Sequence, residues 1–347
     1  MASTISALAG VQFARLKAFP EKLADNPIRA VTLDAIQRRN ALLDGVFYNV
    51  GNIDASEYEQ LAFWLAREGA LLIVPPIGSG RIEVFLDKND FLAAGGGAVA
   101  AIVVAGVGSS AVGSAACARD VANALGKPVG AVVSGYGLSD VLTEALGGFF
   151  WFGALNGLRH GFEELDRQTK RFTASEPMLD QSMGSEFLRL SKDTATLIDL
   201  LEDRRFTVPL LIGHSKGNLI ISEALYALES KGTLARVAKA SQIVTISAKV
   251  GMPDAFAGKV FDIIGQWDSF GALNSRPDIP TDLVVPGAWH STNPNFPMGM
   301  GINLTEVMRE AVTLMSQPPS VPAVPRAAPT GVLLDFPQRF AGMLARQ

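Results

Sequence analysis

The segment Gly213 to Gly217 (GHSKG) constrains the fold of this chain most, because it separates an apolar run from a helical pattern. The preceding run, VPLLI, has the length and composition of a buried strand, and Asn218 to Leu228 has the pattern of a helix. A G-x-S-x-G segment in this context is typical of a sharp turn that holds its serine in a strained conformation. Glycine at Gly213 and Gly217 permits the close backbone approach that such a turn requires. The pattern therefore predicts a nucleophile elbow with Ser215 at its apex.

Short apolar runs recur along the chain and alternate with helical patterns. The predicted strands are Ala70 to Val74, Arg81 to Leu86, Ala100 to Val107, Val129 to Ser134, Val208 to Ile212, Gln242 to Ser247, Val260 to Gly265 and Leu283 to Val285. Alternation of this kind predicts an α/β fold with a mostly parallel sheet covered by helices on both faces. The serine turn follows the fifth strand.

An uncharged stretch between Asp90 and Arg119 is long enough for a membrane span. It consists mostly of Gly, Ala and Ser, and only AAIVVAGV is strongly apolar, which favours a buried strand, a glycine turn and a helix. The N-terminus has no basic residue before its short apolar stretch and does not match a secretory signal. We therefore expect a cytoplasmic protein, with secretion by a non-classical route left open.

Composition excludes several classes of protein. A net charge of −4 without a basic cluster argues against nucleic-acid binding. The single cysteine, Cys117, excludes an intrachain disulfide framework and a cysteine-rich metal site. A hydrophobic fraction of 48% indicates a chain with a sizeable core rather than a disordered one.

The predicted organisation has four parts. Residues 1–68 form a helical arm that shows no catalytic constellation, and residues 69–316 form the α/β domain. An insertion at about 138–184 lies before the elbow, and its stretch Leu146 to Leu158 carries four adjacent aromatics (FFWF). This stretch is either a buried packing helix or a lid or acyl-binding wall. Residues 317–331 form a Pro/Ala-rich linker. Residues 332–347 form an amphipathic tail, which could dock on the chain itself, on a partner or on a lipid or granule surface.

A serine hydroxyl is a weak nucleophile and needs a neighbouring base. The chain has three histidines. His214 lies inside the elbow, where its side chain is expected to point away from the reaction centre, and His160 lies in the insertion. His290, in the turn-rich loop VVPGAWHSTNP after the last predicted strand, is therefore the predicted base.

The carboxylate that orients this base is expected between Ser215 and His290 in chain order, at the carboxyl end of a strand. Asp268 meets both conditions, whereas Asp262 lies within the same strand. Three further aspartates lie in loops: Asp254, Asp278 and Asp282. Their default interpretation is solvation or helix capping, and Asp254 is the main rival of Asp268.

An oxyanion hole needs two backbone N–H donors. One is predicted at Lys216, at the start of the helix after the elbow. The second is expected in the glycine-containing loop after the third strand, at Val107, Gly108 or Ser109. The same stretch, GVGSSAVGS, could form a phosphate loop, but it lacks the P-loop lysine and matches G-x-G-x-x-G incompletely.

From Val208 to Pro294 the chain resembles the lipase and esterase branch of the α/β-hydrolase superfamily. GHSKG resembles the lipase elbow GHSLG, and the order IVTISAKVG, VFDIIGQWDSF and a late histidine loop is similar to that of fungal-type lipases. The resemblance implies ester hydrolysis with Ser215 as nucleophile, His290 as base and Asp268 as the group that orients the base. Lys216 departs from the leucine or glycine usual in lipase elbows, and the insertion matches no family element.

The sequence therefore predicts a serine carboxylic-ester hydrolase that forms an acyl-enzyme and needs neither a metal nor an organic cofactor. The aromatic insertion favours a hydrophobic ester as substrate, such as a lipid or a polyester of hydroxy acids. An acyltransferase, a thioesterase or a polyester depolymerase would use the same residues. The alternative from another class is a non-catalytic hydrolase-fold protein that binds a membrane or a hydrophobic granule through its arm and tail.

Overall fold

A computed structural model describes residues 44–62, 68–106, 109–134 and 191–317. The strands in these ranges are β1 (Leu71–Val74), β2 (Glu83–Phe85), β3 (Ile102–Val104), β4 (Val129–Val132), β5 (Leu210–His214), β6 (Gln242–Ile246), β7 (Val260–Gly265) and β8 (Leu283–Val285). The α-helices there are α1 (Ala55–Ala62), α2 (Lys88–Ala93), α3 (Ala111–Leu125), α4 (Lys192–Glu202), α5 (Lys216–Ser230), α6 (Leu234–Ala240), α7 (Ser269–Leu273) and α8 (Leu304–Ser316).

The eight strands form one mostly parallel sheet, as the sequence predicts. Their order across the sheet is β2-β1-β4-β3-β5-β6-β7-β8. β1 is antiparallel to both of its neighbours, and every other pair is parallel. The carboxyl ends of β3, β5, β7 and β8 therefore meet at one edge of the sheet, which is where parallel α/β sheets place their functional loops.

Strand bounds agree with the sequence prediction to different degrees. β7 and β8 have the predicted bounds. β5 begins and ends two residues later than predicted, because its pairing with β6 continues to His214 opposite Ile246. β3 is shorter than predicted: its pairing with both neighbours ends at Val104, and the chain then leaves the sheet as a loop.

Helices cover both faces of the sheet. One core cluster joins side chains of β1, β3, β4, β5 and β6 to those of α2, α4, α5 and α6. Ile102 and Val104 belong to this cluster, whereas the intervening Val103 faces the opposite side, because strand side chains alternate. α3 packs against β1, β3 and β4 on that opposite side, and its buried residues take no part in the cluster.

The chain divides into two compact units, residues 1–311 and 312–347, and 312–317 is the described part of the second. The predicted insertion and tail lie outside the described residues, as do the predicted linker after Gln317 and most of the predicted arm. The uncharged stretch after Asp90 contains β3 and the start of α3, so the predicted strand and helix are confirmed there. Among the described residues, no helix has the length and apolar character needed to cross a membrane.

Candidate active site

Ser215 joins β5 directly to α5 in a strained backbone conformation. Its φ of 52° and ψ of −119° lie outside the usual regions for L-residues, which costs about 1–3 kcal/mol. The N–H of Ser215 donates to the carbonyl of Ile246 at 2.9 Å and so ties the turn to β6. The predicted strand, serine turn and helix are all present.

Two glycines permit the close approach between this turn and its neighbours. A Cβ at Gly213 would overlap the side-chain oxygen of Asn218, and one at Gly217 would overlap the backbone carbonyl of Val104 on β3. Asn218 in turn donates to two carbonyls at and just after the end of β6, at 3.0 and 2.9 Å. The elbow is therefore fixed between β3 and β6, and a side chain at either glycine would force these elements apart.

Three side chains from three loops form a continuous hydrogen-bonded line. His290 Nε2 lies 3.0 Å from Ser215 Oγ, and His290 Nδ1 lies 2.9 and 3.0 Å from the two carboxylate oxygens of Asp268. An ionised carboxylate only accepts, so Nδ1 of the neutral ring carries the proton and Nε2 is left to accept from the serine hydroxyl. All three residues are buried, with exposed fractions of 7% for Ser215, 3% for His290 and 2% for Asp268.

Asp268 is held by the loop that follows β7. Its carboxylate accepts the N–H of Gly271 at 2.6 Å and thereby caps the short helix α7. The N–H of the preceding residue, Trp267, donates to the carbonyl of Ala288 at 2.8 Å. This bond joins the aspartate loop to the histidine loop, so Asp268 and His290 are positioned by backbone contacts as well as by the hydrogen bond between their side chains.

The rival aspartates have other contacts. Asp262 lies in β7 and accepts from Thr245 on β6, and burial raises its pKa to about 6. Asp282 accepts the N–H of Asp262 at 2.8 Å, Asp278 pairs with Arg276, and Asp254 starts a short 3-10 helix. Among these aspartates, Asp268 is the one that forms a hydrogen bond with the His290 ring.

His214 does not contact the serine hydroxyl through a hydrogen bond, in keeping with the expectation that it points elsewhere. Its Nδ1 lies 3.0 Å from the hydroxyl of Tyr48, and its Nε2 lies 3.0 Å from the backbone carbonyl of His290. Burial, and then the neighbouring His290 ring, lower the pKa of His214 to about 3. His214 is therefore a neutral ring held between two fixed partners.

The loop after β3 passes directly beside Ser215. The position of a Cβ at Gly106 would be 3.1 Å from Ser215 Cβ. Of the predicted second donors, Val107 and Gly108 lie outside the described residues. Ser109 is described: its N–H donates to the carbonyl of Gly106 at 3.4 Å, and its hydroxyl bonds to Ser114 and Ser134. The other predicted donor, Lys216, is the first residue of α5 and is buried.

Aromatic side chains surround His290. Phe270 meets its ring edge-on at 5.1 Å between centroids, and Trp289 and Phe47 contact it at 6.0 Å. Trp289 also stacks on Phe296 at 5.1 Å. The same loops carry exposed apolar side chains at Trp267, Leu273 and Met298. The surroundings of the hydrogen-bonded line are therefore largely apolar.

Phe47, Tyr48, Asn218 and Phe270 also lie at the site but are not among the residues predicted from the sequence. Asn218 could have been inferred from its place one residue after the elbow. Phe47 and Tyr48 lie in the segment FYN of the arm. This segment matches no motif, and it is far from the other site residues in sequence. No local pattern marks such residues.

Comparisons with protein-family models, with curated protein sequences and with solved structures find no match to this chain. Within the described ranges, no group of three or more His, Cys, Asp and Glu side chains is placed to hold a metal ion. The functional argument therefore depends on the geometry of the site itself.

Proposed function

We propose that this protein is a serine carboxylic-ester hydrolase with Ser215, His290 and Asp268 as its catalytic triad. The observation that carries the proposal is the line from Ser215 Oγ to His290 Nε2 at 3.0 Å and from His290 Nδ1 to Asp268 at 2.9 Å. A nucleophile, a base and a group that orients the base, joined in this sequence, are what acyl transfer through a serine requires.

In the first half of the reaction, Ser215 Oγ attacks the ester carbonyl carbon while its proton passes to His290 Nε2. Asp268 keeps the proton on Nδ1, so that Nε2 is available as the acceptor, and stabilises the imidazolium that forms. The tetrahedral intermediate collapses when His290 returns the proton to the leaving alcohol. An acyl ester on Ser215 remains.

The negative charge of the intermediate develops on the former carbonyl oxygen. The Lys216 amide lies at the N-terminus of α5, where the helix dipole and the N–H groups favour an anion. The loop after β3 lies beside Ser215 and is the proposed source of the second donor. Removal of one such donor costs other enzymes about 10²- to 10³-fold in kcat.

In the second half, a water molecule takes the place of the alcohol. His290 Nε2 accepts a proton from that water as its oxygen attacks the acyl carbonyl, and the proton then passes to Ser215 Oγ as the acid leaves. Each proton taken up by His290 is returned within the same half-reaction. The cycle consumes one ester and one water and yields an alcohol and a carboxylic acid.

The aromatic surroundings of His290 support an apolar acyl group in the substrate. Phe270, Trp289 and Phe296 line the side of the site formed by the aspartate and histidine loops. Burial of an acyl chain against such surfaces contributes about 0.8 kcal/mol for each methylene group. We therefore propose that activity rises with acyl length until the apolar wall is filled.

The proposal includes an α/β-hydrolase type of fold. Support comes from the serine turn after β5, from the chain order serine, aspartate, histidine, and from the loop after β3 beside the nucleophile. The mostly parallel sheet brings all of these loops to one edge. Chain order and placement of this kind are typical of that fold.

Hydrolysis of p-nitrophenyl esters with increasing acyl length tests the proposal, with wild type and Ser215→Ala compared at equal protein concentration. We expect kcat to fall by roughly 10³-fold or more in Ser215→Ala, because the nucleophile is lost. Ser230→Ala is the matched control, since Ser230 lies exposed at the other end of α5. Equal rates for wild type and Ser215→Ala above the background rate would contradict the proposal.

A further inference from the structure

A buried chain of hydrogen bonds links the loop after β3 to the histidine loop. The N–H of Gly106 lies 2.6 Å from the Tyr48 hydroxyl oxygen, the Tyr48 hydroxyl lies 3.0 Å from His214 Nδ1, and His214 Nε2 lies 3.0 Å from the His290 carbonyl. Tyr48 and His214 are each 2% exposed. The chain therefore runs between two backbone groups of the site through two enclosed side chains.

The direction of each hydrogen bond is determined by the two ends. A carbonyl oxygen only accepts, so His214 Nε2 must donate to His290, and Nδ1 of the neutral ring then accepts. The N–H of Gly106 only donates, so the Tyr48 oxygen accepts from it and its hydroxyl proton is directed to His214 Nδ1. No other arrangement of protons satisfies all four groups.

Both ends of the chain lie at the reaction centre. Gly106 is packed against Ser215 Cβ in the loop that is the proposed source of an oxyanion donor. The other end is the backbone of His290, whose ring bonds to Ser215 Oγ. The hydrogen-bonded chain thus links Gly106 to the backbone of the proposed base, and the name oxyanion loop is used here for the described residues 105–106 and 109–110.

A second set of contacts joins the same two loops through the arm segment, defined here as residues 44–48. Asp44 accepts the N–H of Ser110 at 3.0 Å, at the far end of the oxyanion loop. The carbonyl of Phe47 accepts both the N–H and the hydroxyl of Thr292, at 2.9 and 2.8 Å, and the carbonyl of Val46 accepts the hydroxyl of Ser291 at 2.7 Å. The arm segment therefore contacts the oxyanion loop through the side chains of Asp44 and Tyr48 and the histidine loop through backbone carbonyl groups.

We propose that Tyr48 is a positioning residue of the site, which through His214 fixes the oxyanion loop relative to His290. This inference depends on the hydrolase function proposed above. Catalytic groups must be held within about 0.5 Å of the productive geometry, and contacts beyond the reacting groups supply that precision. Tyr48 touches neither the nucleophile hydroxyl nor the base ring through a hydrogen bond, so its effect is exerted on loop position.

Loss of the hydroxyl in Tyr48→Phe leaves the N–H of Gly106 without its acceptor and His214 Nδ1 without its donor. The benzene ring remains in place and keeps its edge contact with His214. The bonds from His290 to Ser215 and Asp268 are not removed. We therefore expect the nucleophile to stay reactive while stabilisation of the tetrahedral intermediate weakens.

The test compares wild type, Tyr48→Phe and Tyr58→Phe for ester hydrolysis and for inhibition by an alkylboronic acid, which mimics the tetrahedral intermediate. Active sites are counted by fluorophosphonate labelling, and rates are expressed per labelled site. For Tyr48→Phe we expect kcat to fall by about 10- to 100-fold, boronic acid affinity to fall by a similar factor and KM to change by less than about 3-fold. Tyr58, on the exposed side of α1, provides the matched control and should behave as wild type.

A second variant, His214→Phe, breaks the same chain one link further along. If the hydrogen bonds from Gly106 to His290 act as a unit, kcat of the double variant Tyr48→Phe/His214→Phe falls no further than kcat of the more affected single variant. Multiplicative losses in the double variant would overturn the linked role of the two residues.

Wild-type kcat and boronic acid affinity in Tyr48→Phe would overturn the inference, as would a loss fully explained by fewer labelled sites. A rise in KM with unchanged kcat would also overturn it. Each of these results, with Ser215 labelled in wild type, leaves the proposed hydrolase function standing. Absence of labelling in wild type and variant alike would instead overturn the proposed function and, with it, the role of Tyr48.

Discussion

The proposed reacting groups and the groups that support them come from different regions of the chain. Ser215, Asp268 and His290 lie in the part of the chain that begins with β5, and they follow β5, β7 and β8 respectively. The arm segment lies before β1, supplies none of these three side chains, and contacts the oxyanion and histidine loops from outside the sheet. The proposed reacting side chains are therefore positioned by strands of the sheet, and the arm segment, which is distant in sequence, holds the loops around them.

The two regions also differ in how their structure is specified. The residues that form the elbow are adjacent in sequence, namely two glycines, a serine with positive φ and an asparagine that ties α5 to β6. The arm segment depends on hydrogen bonds to residues far along the chain, from Gly106 to Thr292. A change in the sheet region should therefore affect the reaction directly, and a change in the arm segment should affect it through position or stability.

The largest expected effect is that of Asp268→Asn in the sheet region. An asparagine amide can donate to Nδ1 and so favour the ring tautomer with the proton on Nε2, which cannot accept the serine proton. We expect kcat/KM to fall by roughly 10⁴-fold with little change in fold. Asp254→Asn, at the exposed rival aspartate, should stay within about 2-fold of wild type. A large loss of kcat/KM in Asp254→Asn with a small loss in Asp268→Asn would show that Asp254, and not Asp268, orients His290.

An intermediate effect is expected for Gly213→Ala at the elbow. The new Cβ would overlap the Asn218 side chain and lie 2.8 Å from the Asn218 nitrogen, so α5 or β5 must shift. We expect the free energy of unfolding to fall by about 1–3 kcal/mol, as for other overpacked sites, together with a loss of activity. Thermal unfolding and ester hydrolysis measure the two effects. Gly51→Ala is the control, because the nearest atom to a Cβ there is 3.8 Å away; equal behaviour of the two variants would contradict the elbow geometry.

The smallest expected effect on activity is that of Asp44→Asn in the arm segment, where the change is mainly in stability. Burial raises the pKa of Asp44 from 3.8 to about 7. The folded state therefore binds more protons than the unfolded state between these values, and the stability contributed by protonated Asp44 is lost as pH rises through about 7. Asparagine does not titrate, so Asp44→Asn should gain stability relative to wild type between pH 5 and pH 8, by an amount on the order of a few kcal/mol.

The difference in melting temperature between Asp44→Asn and wild type at pH 5 and pH 8 measures this effect. Burial also raises the pKa values of Asp120 and Asp262 to about 6. These groups are present in both proteins, so the comparison isolates Asp44. An identical pH dependence of melting in the two proteins would show that Asp44 does not carry the proposed proton.

Local patterns predicted the sheet and the elbow well. The apolar runs that became β7 and β8 are bounded by turn residues, so their limits could be identified from composition. The elbow could be identified because the residues that meet its steric constraint occupy five adjacent positions, although Gly217 is constrained by β3. The chain order of serine, aspartate and histidine, with the requirement that each follow a strand, was sufficient to select Asp268 and His290 from their rivals as candidates.

Contacts between distant residues could not be predicted in the same way. Tyr48 and Asp44 each accept a hydrogen bond from a distant backbone N–H, and backbone groups leave no signal in the sequence. The proposed second oxyanion donor depends on the direction of a backbone N–H, which residue spacing does not specify. The substrate expectation rested on the insertion, whereas the aromatics that the structure places around His290 come from the aspartate loop, the histidine loop and the arm segment.

Mapping of the residue modified by an alkyl fluorophosphonate tests the central claim most directly. Wild type and His290→Ala would be treated in parallel, digested and analysed by mass spectrometry, with the rate of adduct formation followed over time. The proposed triad predicts a single adduct at Ser215 in wild type and a rate lower by roughly 10³-fold or more in His290→Ala, because the base is absent. An adduct elsewhere, or formation at Ser215 at the same rate in both proteins, would contradict the triad.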